Sequence, residues 1–149
     1  MTTTRPPGSD EVRGPSPRPC ASCPYRRDVP SGVWAAGEYD KLIAYDADTP
    51  LQPPNLFLCH QTSAEDSARR VCAGWLGCHG DGLLAVRLAA AYGALAEDDL
   101  ATAFNYRTDV ALFESGASAA AHGRRDIDDP DDRARGAIAK ISRRRGDLT

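Results

Sequence analysis

The sequence predicts a mostly helical α+β fold, a small irregular domain with short strands organised around a four-cysteine metal site. Three observations predict it. Cys20, Cys23, Cys59 and Cys72 supply enough thiols for one tetrahedral ion. Several alanine- and leucine-rich stretches repeat apolar residues at helical spacing. Residues 55–60 form a short apolar run bounded by turn signals, the pattern of a strand.

Taken in order, residues 1–18 carry Pro6, Pro7, Pro15 and Pro17 and no apolar periodicity, so they are assigned to a disordered arm. A metal-binding domain follows over 19–123, and a charged helical tail over 124–149. After Cys23, residues 25–34 are a loop expected to pack Trp34 over the site. Residues 38–46 carry Tyr39, Leu42 and Ile43 at helical spacing and predict a short amphipathic helix. Residues 49–54 break it, and the apolar run 55–60 delivers Cys59. Residues 71–76 return the chain to the core, with Gly74 allowing close backbone packing. Asp81 is a suitable N-cap for a central buried helix over 82–92, whose one charge, Arg87, would need a carboxylate or carbonyl partner. Two further helices are expected at 98–106 and 109–121, and His122 beside Gly123 suits a helix C-terminus. In the tail, Asp129 is read as N-cap and Pro130 as first helical residue, with Ala134, Ala137, Ile138 and Ile141 on one apolar stripe.

The two-residue gap between Cys20 and Cys23 lets one tight turn aim both sulfurs at one ion. Twelve residues separate Cys59 from Cys72, so the fold must bring those two together. Structural zinc is the leading content and an iron–sulfur cluster, which uses the same four thiolates, the alternative. A disulfide framework fits poorly, because five cysteines is an odd number and the first residues lack the apolar core of a signal peptide. A redox dithiol fits poorly too, since Pro15, Pro17 and Pro19 precede the pair where a strand would be needed. Unconnected buried cysteines are the plainest alternative. His60, Cys78 and His79 are the alternative ligands. His60 adjoins Cys59 on the expected strand and would face away from it. Cys78 and His79 fall in the Gly77–Gly82 stretch, read as a flexible turn, where a half-buried thiol and a loop imidazole are the default.

The chain has 149 residues and a net charge of −3, which suits one small domain with tails and gives no global basic excess. No apolar run approaches the length of a membrane span, so no membrane partner is expected and a cytoplasmic location is the default. A core this small gains directly from a metal cross-link.

The order Pro19-Cys20-x-x-Cys23-Pro24-Tyr25-Arg26, Trp34, Phe57-x-Cys59-His60, Cys72-Ala73-Gly74-Trp75-Leu76 and Val86-Arg87-Leu88 resembles a family of small bacterial and phage proteins catalogued only as a domain of unknown function. The resemblance covers about residues 18 to 90. It implies that Cys20, Cys23, Cys59 and Cys72 belong to one motif accompanied by His60 and Trp75, and it implies no activity, substrate or partner.

Three functions follow as expectations. The first is a non-enzymatic, zinc-stabilised module that binds a protein partner, because four thiolates leave no open coordination position for chemistry. The second is an iron–sulfur redox or sensor protein, or a thiol enzyme using Cys78 and His79; no catalytic residue is assigned, and the sequence leans against an enzyme. The third is a nucleic-acid-binding accessory protein using Arg133, Lys140, Arg143, Arg144 and Arg145 as phosphate contacts, against which a solvated basic face is the default. It ranks below a protein partner because the chain is acidic overall.

Overall fold

The computed structural model describes residues 12–59 and 69–144. Among these, six helices and one two-stranded parallel sheet make up the mostly helical α+β fold. The sheet pairs β1 (Val12–Arg13) with β2 (Arg69–Arg70), Val12 opposite Arg69 and Arg13 opposite Arg70. Residues 12–18, assigned to the arm, are therefore part of the domain, since β1 lies in the sheet and the Tyr106 hydroxyl donates to the Pro17 carbonyl. Proline density misled here because proline fits an extended edge as well as a disordered chain.

Of the strand expected at 55–60, the described residues 55–59 form only a bridge between Leu58 and Val71. The Cys59 N–H donates to the Arg70 carbonyl and the Cys72 N–H to the Phe57 carbonyl, so residues 57–59 still run antiparallel to 70–72. The stretch read as a core return and flexible turn is instead α2 (Ala73–His79). Four of its residues, Ala73 to Leu76, are buried, and Gly80 ends it at a positive φ of 68°.

α1 (Ala36–Ile43) buries Tyr39 and Leu42 on one face and continues into a 3-10 turn, Ala44–Asp46, that buries Tyr45. α5 (Gly116–Arg124) packs across it. The contact is close because of two glycines: a Cβ on Gly123 would strike the Tyr39 ring, and one on Gly116 the Leu42 carbonyl. The helix expected over 109–121 starts late because Arg26 and Leu112 form an antiparallel bridge and Phe113 N–H donates to the Tyr25 carbonyl. That pairing holds residues 111–113 extended until Ser115, whose hydroxyl accepts from Ser118 N–H, opens the helix.

α3 (Leu84–Tyr92) is shorter than expected. The Gln52 side-chain carbonyl, not Asp81, accepts from the Leu84 N–H. It buries Ala85, Val86 and Ala89 but leaves Arg87 exposed, with the guanidinium 3.4 Å from the Asp81 carbonyl; a buried charge does not arise. α4 (Glu97–Phe104) packs on α3 and places Glu97, Asp98 and Asp99 at its own positive end. α6 (Asp132–Arg144) begins after Asp131, whose carboxylate accepts from the Ala134 N–H, so Asp131 rather than Asp129 is the cap. Its stripe docks on the domain, with Ala134 and Ile141 in the core and Ala137 and Ile138 packed against it.

Candidate metal centre

The turn carrying Cys20 and Cys23 closes through the Cys23 N–H to the Cys20 carbonyl at 3.0 Å, and a second turn follows through Arg26 N–H to the Cys23 carbonyl at 3.1 Å. Arg26 stitches this knuckle together, donating to the Pro19 carbonyl and making two bonds of 2.8 and 2.7 Å to Asp28. Trp34 packs on it as expected: its indole N–H donates to the Ser22 carbonyl at 2.8 Å. Gly74 is needed where α2 crosses the knuckle, because a Cβ there would meet Cys23 Sγ, and Tyr25 Cβ at 2.9 Å.

The four thiols lie close enough to influence one another: the Cys23 and Cys72 sulfurs stand 3.8 Å apart, and the Cys20 thiol is coupled to those of Cys23 and Cys59. All five cysteines are free thiols. Three sulfurs also accept backbone N–H bonds: Cys20 from Ser22, Cys23 from Tyr25, and Cys72, the N-cap of α2, from Trp75 at 3.4 Å. Such bonds place partial positive charge against a sulfur, the support a ligand thiolate needs. The contacts are pairwise, and among the described residues no group of three or more His, Cys, Asp or Glu side chains is already arranged to hold a metal ion.

The thiols of the knuckle hold their protons. The Cys20 thiol is pushed up to about 11: its bond with Cys23 raises it, that with Cys59 lowers it, and burial raises it again. For Cys23 the bond with Cys20 lowers the pKa, but the bond with Cys72 and burial outweigh it and leave the thiol well above its ordinary value. A cation would have to displace those protons to bind.

Cys78 and His79 stand apart from these thiols, in the last turn of α2. Burial, then the Asp46 carboxylate, pushes the Cys78 thiol up to about 12, which denies it the thiolate form a nucleophile needs. His79 places Nε2 3.4 Å from the buried Tyr25 hydroxyl and Nδ1 4.0 Å from Asp46 Oδ1. It belongs to an aromatic cluster with Tyr25, Tyr45, Phe57 and Trp75. Burial drives the Tyr25 phenol far above its usual range, and Cys72, Cys78, Cys23 and Asp46 add to it. The Trp75 indole N–H is buried without a hydrogen-bond partner among the described residues.

Two contacts had no sequence signal. Asp46 accepts from the Gly116 and Ala117 N–H groups at 2.6 and 2.8 Å, and His122 pairs Nε2 with the Val29 carbonyl at 2.7 Å. Each joins residues at least 70 positions apart. Arg133, Lys140 and Arg143 lie along α6, whose last residue is Arg144, while His60 and Arg145 lie outside the described residues.

The chain belongs to a family of unknown function, DUF6283, whose model matches residues 15–145. The match takes in Cys78 and α6 as well as the four-cysteine motif, so it reaches well past residue 90 and runs across the boundary drawn at 123. No curated protein and no solved structure matches the chain.

Proposed function

We propose that Cys20, Cys23, Cys59 and Cys72 hold one structural zinc ion, and that the protein is a non-enzymatic, metal-stabilised module acting through a protein partner. The reading is carried by the contact between Cys23 and Cys72, with Cys20 coupled to Cys23 and to Cys59. Tetrahedral ligands at zinc's usual sulfur distance lie about 3.8 Å apart. The Cys23–Cys72 separation has that length already. Backbone N–H groups bond three of the four sulfurs, which suits them to the thiolate form. Protonated thiols satisfy one another pairwise; thiolates drawn to a common point would repel without a cation between them. A single ion suits sulfurs in direct contact better than an iron–sulfur cluster, whose iron and sulfide atoms spread the cysteines apart.

The three segments that the thiols join, the knuckle, residues 57–59 and the start of α2, have little regular pairing of their own. Zinc there would act as a cross-link, and structural zinc contributes apparent binding energies of roughly 10–16 kcal/mol at neutral pH. The test is metal analysis with an optical spectrum on anaerobically purified protein, followed by a thermal melt with and without a strong chelator. One zinc per chain, no visible absorbance and loss of the cooperative melt on chelation are expected. Iron with sulfide would replace the reading by a redox or sensing one, and a melt indifferent to chelation would refute it.

A further inference from the structure

A groove of about 540 Å³ runs between the knuckle and α6. One wall is the Ala21–Ser22 turn and Pro30; the other is the face of α6 carrying Arg133, Lys140 and Arg143. Ala137, half-buried, adds apolar surface between the cations; Ile141 also lines the groove but is buried in the core. We propose that this groove is the docking site for a short acidic segment of a protein partner, with aliphatic side chains set between its carboxylates.

The groove is complementary to negative charge. The lining carries three cations and one carboxylate, Asp28, and both oxygens of that carboxylate are already bonded by Arg26. Arg133, Lys140 and Arg143 make no ion pair among the described residues, whereas Arg124, Arg125 and Arg135 nearby are each paired with an aspartate. Arg133 is held in place by one N–H to the Asp28 carbonyl at 3.0 Å, which leaves its remaining donors for a ligand.

The surroundings of the groove favour a peptide over a nucleic acid. A polyanion laid along α6 would run into Asp128, Asp129, Asp131 and Asp132 at the helix start, where the field reverses. None of the described residues lining the groove is aromatic, so it offers no platform on which bases could stack. A short segment can confine its carboxylates to the Lys140–Arg143 end and set its aliphatic groups against Ala21, Pro30 and Ala137, which a phosphate backbone cannot.

This docking site rests on the proposed role through a protein partner, and not on the identity of the metal. It uses the position of the knuckle turn, which the Cys23 N–H to Cys20 carbonyl and Trp34 to Ser22 bonds fix.

The test is an amide NMR titration of the full chain with a synthetic peptide of Glu and Asp interrupted by two leucines. The same peptide with Gln and Asn in place of the acids, and an oligothymidine of similar length, serve as comparisons. Saturable shifts at Ser22, Arg133, Ala137 and Lys140 are expected, with affinity lowered about tenfold or more in the surface double variant K140Q/R143Q and by the uncharged peptide. Absence of saturable shifts, shifts confined to another face, insensitivity to the double variant, or tighter groove binding by oligothymidine would each overturn it.

Discussion

Around the thiols the described residues have almost no regular structure: two-residue strands, an isolated bridge and a seven-residue helix meet there. The α1–α5 pair is built the opposite way, from two helices of eight and nine residues whose glycines let one press on the other's backbone and rings. Both regions are dense, but for different reasons. Helix packing supplies many small contacts that survive the loss of any one. In the thiol region a few irregular segments meet at a point, and their positions depend on what holds that point. A small domain that spends much of its length on irregular chain gains most from a cross-link there.

Two single-methyl additions would break or sharpen this contrast. Gly74→Ala drives a Cβ into Cys23 Sγ and against Tyr25. It should cost about 1–3 kcal/mol in a chemical-denaturation curve and also lower the metal retained after dialysis. Gly123→Ala drives a Cβ into the Tyr39 ring, whose hydroxyl accepts from the Trp34 N–H at 3.1 Å. A loss of similar size, about 1–3 kcal/mol, is expected with metal content unchanged. Equal metal loss in both variants would show that the two regions are one cooperative unit and remove the distinction.

A smaller effect is expected where the regions touch. Asp46 leaves the end of the α1 segment to receive the first two N–H groups of α5, at 2.6 and 2.8 Å, while its carboxylate also faces His79. Asp46→Ala removes a charge-assisted cap and should cost about 1–2 kcal/mol by thermal or urea unfolding. Asp46→Asn, which keeps one acceptor oxygen, should recover part of that. If Asp46→Ala melts like the parent, the helix start is held by Ser115 and packing alone.

The residues that met through local rules were legible in the sequence. The Cys20–Cys23 turn, Trp34 over it, the close approach at Gly74, the α1 face and the α6 stripe all follow from spacing within a few positions. What was not legible depended on distant partners. Leu112 pairs with Arg26 across more than eighty residues, and that pairing holds extended a stretch whose composition suits a helix. Gln52 takes the capping role that Asp81 offered locally, because the turn at 49–52 lies over the start of α3. The Cys72–Leu76 stretch reads equally as strand or helix by apolarity alone; its cap, formed by a cysteine sulfur, is no ordinary signal. Within the expected arm, residues 12–18 escaped notice because a two-residue strand has too few residues to show a period, while residues 1–11 lie outside the described residues.

The smallest effect concerns His79, where the aromatic cluster abuts the helix pair. Burial lowers the imidazole pKa below its ordinary 6.5, and the Asp46 carboxylate offsets only part of that. As pH falls through 6.5, the unfolded chain takes up a proton at this position while the folded chain does not. The unfolded state therefore binds more protons in that window, and stability drops as pH falls from 6.5 to the lower folded value. Above 6.5 both states are neutral and the residue contributes no slope. Acid also competes with any metal for the thiols, so the informative quantity is the difference between the parent and His79→Gln at equal metal content. The parent should lose stability relative to the variant as pH falls across the window, by less than Asp46→Ala costs at neutral pH. Parallel curves would mean that the imidazole is solvated in the folded state. A parent that gains on the variant in acid would mean that Asp46 outweighs burial, tying His79 to the helix pair rather than to the aromatic cluster.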